Sequence, residues 1–210
     1  DLAGLTALQM QALTTDQVVA LTTAQAVALS SLQVSSLQTH QLAALETHDL
    51  AALELTRVTA LSAAQVKALT TDQIVALTTE HVAGLKILQA QALTTDQIAA
   101  LETRDVAVLG SQHIRALSTD QVAALTTEQI LAMTTEQISV ALADQVAALT
   151  TSQVTALSTS LIGVLNSKQL AAMTTAQVAS LTTSQFPSFA SDSLKGWTGT
   201  QVVALSTANV

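Results

Sequence analysis

The chain has 210 residues, 49% of them hydrophobic and 10% charged, with no cysteine, no tyrosine, one proline and a formal net charge of −8. Aromatic residues make up 1%, too few for an irregular core in which Phe, Tyr and Trp supply much of the buried area. The lack of cysteine excludes disulfide frameworks and thiolate-ligated metal, and seven Lys and Arg against fifteen Asp and Glu argue against nucleic acid, which needs clustered positive charge.

From Leu5 to Leu205 an apolar residue stands at every eighth position. Of these 26 positions 21 are Leu, and the others are Met133, Ala141, Met173, Phe189 and Trp197. Five residues after each lies a second apolar column, with Val18, Val34, Ile74, Ile98, Val122, Ile130, Val146 and Val178 as typical members. Gln fills 18 of the 26 positions just before that second column, giving the consensus LTTxQ[VI]xA. Self-similarity at a fixed short period is the signature of a repeat architecture.

One continuous helix does not suit this period. Eight residues at about 100° each leave the Leu column rotated by roughly 80° per octad, so the stripe circles the helix and cannot stay on one partner. A β-solenoid fails on parity, because the first and sixth positions of an octad face opposite sides of a strand. A separate short helix in each octad remains, and the octad at 13–20 shows why. With Thr14 as N-cap, Gln17 falls at the third helical position, the spacing of a capping box, while Leu13 and Val18 take the two positions of a hydrophobic staple. Acidic residues favour the slot before the Gln, as in Asp16, Asp72, Glu80, Asp96, Asp120, Glu128, Glu136 and Asp144. That is the first turn, where the helix dipole favours negative charge.

The expected fold is therefore all-α: a solenoid, or superhelix, of very short capped helices, one per eight-residue repeat, running over 1–210 as a single domain. Each helix should span about six residues, roughly 9 Å. The Leu and Val/Ile columns are expected inside, with Thr, Gln and Asp outside. An isolated octad buries too little apolar surface to offset the ordering of eight backbones, so stability must come from stacking. Ala before each corner lets neighbouring helices approach closely. The pattern leaves two and three octads per coil as alternatives.

Along the chain, His40 and His48 share one octad slot, and His81 and His113 share the slot usually held by Gln. Without metal-ligand spacing such as HExxH or carboxylates gathered around these imidazoles, no metal or cofactor is expected. A row of equivalent caps is not one activated nucleophile in a shaped pocket, so no catalytic residue and no enzyme activity are expected. Lys86, Ile87 and Leu88 displace the cap in one octad, and Leu142 and Ala143 do so in another. The irregular segment 184–200 departs furthest and holds the only proline and all three aromatics. Pro187 falls inside an expected helix and removes a backbone donor there. Phe186, Phe189 and Trp197 keep the column register; they read either as a space-filling irregular corner or as a subunit or domain contact.

Threonine rows invite comparison with ice-binding surfaces, but capping already accounts for the first Thr of each pair. No run of about 18 apolar residues exists, so membrane insertion is not expected. The chain opens at Asp1 without a basic-then-apolar leader and ends within an octad at Val210, which reads as a processed product or a segment of a longer polypeptide.

The tracts LTTDQVVALTTAQ, ALTTDQIVALTTEH and ALTTEQILAMTTEQI resemble the octad-repeat regions of very large bacterial secreted or cell-surface adhesin-like proteins. The resemblance covers nearly the whole chain and is weakest over 184–200. It implies extracellular or cell-surface display. It does not imply haem binding, because no haem-ligating motif is present. The expected role is structural: an elongated extracellular stalk, spacer or filament subunit, with self-association by end-to-end stacking as the expected partnership. The alternative is an α-solenoid binding module that recruits a protein or peptide.

Overall fold

A computed structural model describes residues 2–205 of the chain. Among them are 24 α-helices of four to six residues and two short 3₁₀ turns, with no strand. The chain forms two compact units, Asp1–Val108 and Leu109–Val210.

The helix at Thr71–Ala76 shows how one octad folds. Thr70 is extended, with φ −73° and ψ 161°. Its hydroxyl accepts the Gln73 N–H at 3.2 Å, while Gln73 Oε1 accepts the Thr70 N–H at 2.9 Å. Two of the donors that every helix start leaves without a partner are thereby satisfied. Six residues later the chain leaves the helix at Leu77, with φ −60° and ψ 141°, and Thr78 is extended again at ψ 158°. Two consecutive extended residues, Leu77 then Thr78, form this corner. Six residues lie far below the length at which an isolated helix is stable in water, so these helices persist only by packing.

They pack with a period of three. In the first unit Thr47–Ala52 lies against Thr71–Ala76, and Ala63–Ala68 against Ile87–Ala92; in the second, Ala143–Ala148 lies against Ser167–Ala172. Within each unit, then, three octads complete a coil and residue i sits over residue i+24. This resolves the choice between two and three octads per coil. Both apolar columns line the interior, with Leu29, Leu77, Ile74, Ile98, Ile130 and Leu165 fully buried, while the Ala of each corner is mostly half-buried between coils.

One expectation is overturned. Gln was expected outside with Thr and Asp, yet from Gln33 onward almost every glutamine of the repeat is buried, including Gln41, Gln73, Gln97, Gln129, Gln153 and Gln177. The reason is that the side-chain amide finds main-chain partners in the coil before it, so burial leaves no polar group unsatisfied.

The two octads with displaced caps keep the pattern. At Lys86 and Leu142 no side chain caps the helix, but the N-cap N–H still donates to Gln89 Oε1 and Gln145 Oε1, both at 2.8 Å. In the irregular segment Pro187 lies within a 3₁₀ turn, Phe186–Ser188, rather than an α-helix, as its missing donor requires.

Candidate functional site

The polar group that recurs throughout both units is the buried corner glutamine. Its oxygen closes the capping box of its own helix, and its amide nitrogen crosses to the coil before. Gln73 Nε2 donates to Leu45 O at 2.6 Å and Leu42 O at 2.9 Å, residues 28 and 31 positions earlier. Gln97 repeats this with Leu69 O at 2.7 Å and Val66 O at 3.0 Å. In the second unit Gln153 does so with Leu125 O at 2.6 Å and Val122 O at 3.0 Å, and Gln177 with Leu149 O and Val146 O. The corner Leu carbonyl has no partner within its own helix, while the helix carbonyl also accepts the corner N–H, as Leu42 O does from Leu45 at 3.1 Å. One side chain thus starts one helix and finishes another.

Residues that replace Gln in this slot show which part of the function each retains. His81 keeps both ends but only the corner carbonyl: its Nδ1 accepts the Thr78 N–H at 3.3 Å and its Nε2 lies 2.8 Å from Leu53 O. Only the neutral imidazole with hydrogen on Nε2 satisfies both contacts. His113 Nδ1 likewise accepts the Gly110 N–H at 3.2 Å. These two histidines therefore stand in for glutamine, whereas His40 and His48 are exposed. Arg57 donates from Nε to Leu29 O at 2.5 Å and pairs with Glu54, the N-cap of its own helix. Leu161 fills the slot with a buried apolar side chain and gives up the bond.

Asp49 and Asp105 retain neither half. Both are fully buried, and their carboxylate oxygens make no hydrogen bond of good geometry. An aspartate is one methylene shorter than glutamine and offers only acceptors when ionised. The carbonyls 28 residues earlier, of Leu21 and Leu77, consequently receive no donor. Basic side chains stand nearby: His48 Nε2 is 3.1 Å from Asp49, and Arg104 Nε is 3.9 Å from Asp105. Burial pushes the Asp105 carboxyl above its ordinary value, opposed by the Arg104 guanidinium and the Glu102 N–H.

The aromatic residues singled out in the sequence come together. Ring centroids lie 6.3 Å apart for Phe186 and Phe189, 5.9 Å for Phe186 and Trp197, and 5.5 Å for Phe189 and Trp197. Phe189 is buried, the other two rings are half-buried, and Trp197 Nε1 is buried without a hydrogen-bond partner. Beside this cluster a Cβ on Gly196 would collide with the Ser167 carbonyl, so the close approach of two coils requires glycine there.

An apolar cavity of about 30 Å³ lies inside the second unit, lined among others by Ile114, Leu125, Ile138 and Ala141. Ala141 is the one alanine in the Leu column, and the missing side-chain volume opens the void. Among the described residues no group of three or more His, Asp or Glu side chains is placed to hold a metal ion, and no helix is long and apolar enough to cross a membrane.

Two stretches, 42–79 and 98–135, match the ALTTAQ repeat family. No curated protein matches the chain significantly. The matched stretches begin 56 residues apart, seven octads, and each contains one of the two buried aspartates. A longer repeat is thus superimposed on the octad.

Proposed function

We propose that the chain is a structural repeat protein, a stalk or spacer displayed outside the cell, whose work is to hold a set distance by stacking equivalent coils. The corner glutamine carries this reading. It is the dominant buried polar group, and it is committed at both ends to joining one coil to the next, so each added set of three octads brings its own connection. Extracellular display is supported by the likeness of the octads to those of large bacterial surface proteins and by an acidic, cysteine-free composition.

Deleting residues 61–84, one complete coil of the first unit, tests the geometric role. Circular dichroism should give the same helicity per residue, and small-angle scattering should give a smaller maximum dimension. Loss of helicity in the shortened protein would overturn the idea that coils are interchangeable. Antibody labelling of intact source cells tests display, and signal found only after lysis would refute it.

A further inference from the structure

The coil junctions are not all alike. From Gln33 to Asp105 the first unit has ten corner slots, and eight of them bond the corner carbonyl 28 residues earlier. The other two are Asp49 and Asp105, and Leu21 O and Leu77 O receive no donor. In the second unit Gln153 and Gln169 bond Leu125 O at 2.6 Å and Ala141 O at 2.9 Å. Between them stands Leu161, and Met133 O receives no donor.

Asp49, Asp105 and Leu161 are spaced 56 residues apart, seven octads, the same offset as between the two stretches that match the ALTTAQ repeat family. Ser193, inside the irregular segment, also lacks the bond but falls off this spacing. Each of the three slots loses both halves of the glutamine's work. The helices that start there, Thr47–Ala52, Thr103–Ala107 and Thr159–Ile162, close no capping box, and none is tied to the coil before by its corner side chain. At Asp49 and Asp105 a buried carboxylate adds its own desolvation cost. Helices of four to six residues hold only by packing, so a helix released from the coil before it has nothing of its own to keep it wound.

We propose that these three slots are seams: places, set seven octads apart, at which one coil parts from the coil before it while the rest of its unit stays folded. A stack so built yields at fixed intervals and recloses against an intact template instead of unravelling from one defect. The seams concern how the stack opens, and they stand independently of where the chain is displayed.

Native-state hydrogen exchange on the intact chain reads this residue by residue. The amides of Leu50 and Leu53 donate to Glu46 O and Leu50 O. They should exchange at least about tenfold faster than those of Leu42 and Leu45 on one side and Ile74 and Leu77 on the other, as one missing bond beside a buried carboxylate implies. Fraying from the start of the chain would instead make Leu42 and Leu45 the faster pair. In the second unit Ile162 and Leu165 should outpace both Val154 and Leu157 and Leu170 and Met173.

Asp49→Gln restores an oxygen and an amide together, and should slow Leu50 and Leu53 to the rates of Ile74 and Leu77 without changing distant coils. Leu161→Gln should do the same for Ile162 and Leu165 with no charge involved. If either variant loses helicity by circular dichroism, the exchange order of the unaltered protein decides alone. Protection that varies smoothly along each unit overturns the seams. So does a variant that slows every amide of its unit equally, because the unit then opens only as a whole. Neither result touches the spacer reading, which the coil deletion tests separately.

Discussion

At the scale of single residues, the slot before the second apolar column decides how well one coil holds the next. Gln97 joins the Thr94 N–H to three carbonyls of the coil before it. Gln97→Ala should cost about 2–4 kcal/mol, since a buried donor and several acceptors lose their partner together; an urea titration showing less than about 1 kcal/mol would contradict the account. Asp105→Gln should have the opposite effect. The folded carboxyl titrates above its ordinary value of 3.8, so the folded state holds the proton more tightly than the unfolded chain. The stabilisation that this gives is complete below pH 3.8 and is lost as pH rises through the folded value. At pH 7 the variant should be more stable by about 1–3 kcal/mol, because a buried charge is removed and Leu77 O regains a donor. That advantage should narrow as the pH is lowered through the carboxylate range, and a gap independent of pH would exclude burial of the charge as its cause.

At the scale of elements, the octad shows how much local chemistry is legible in a sequence. The Thr hydroxyl and the Gln oxygen act within four residues of each other, so the start of each helix could be read directly, and helices such as Thr71–Ala76 and Thr95–Ala100 begin where the capping box places them. The outward placement of Gln was misread for the same reason: its oxygen has a local partner, but its nitrogen bonds 28 and 31 residues away. Nothing local distinguishes a solvated amide from one that ends a distant helix. Asp49 and Asp105 were therefore not visible as buried charges. Their signal was present, two acidic residues in a slot mostly held by Gln, but it gains meaning only once the slot is known to be buried. Ala141 is a comparable irregularity within the Leu column. Ala141→Leu should fill the void of about 30 Å³ and raise stability by about 1 kcal/mol, from the cavity term and the added apolar contact. A fall in thermal midpoint would show that the neighbouring half-buried Leu142 already occupies that space.

At the scale of the molecule, each unit is held by apolar columns and by neutral amide-to-carbonyl bonds. The ion pairs among the described residues have at least one member largely exposed, as with Lys195 and Asp192 or Arg104 and Glu102, and such pairs contribute little. Stability should therefore change little with ionic strength: raising salt from about 0.05 to 0.5 M should not lower the thermal midpoint by more than about 3 °C, because screening acts mainly on exposed charges. A larger fall would mean that charges rather than corner amides join the coils.

The sequence by itself determined that the chain breaks into one short capped helix per octad, because Leu, Thr and Gln act on backbone groups within a few residues. It also determined that these helices stack through two apolar columns, because no single octad buries enough to order itself. Only the tertiary structure decided that three octads make a coil and that the glutamines turn inward to bond the coil before. Those outcomes depend on the angle accumulated over successive Leu-Thr corners and on bonds spanning a whole coil, and neither is encoded within an eight-residue window.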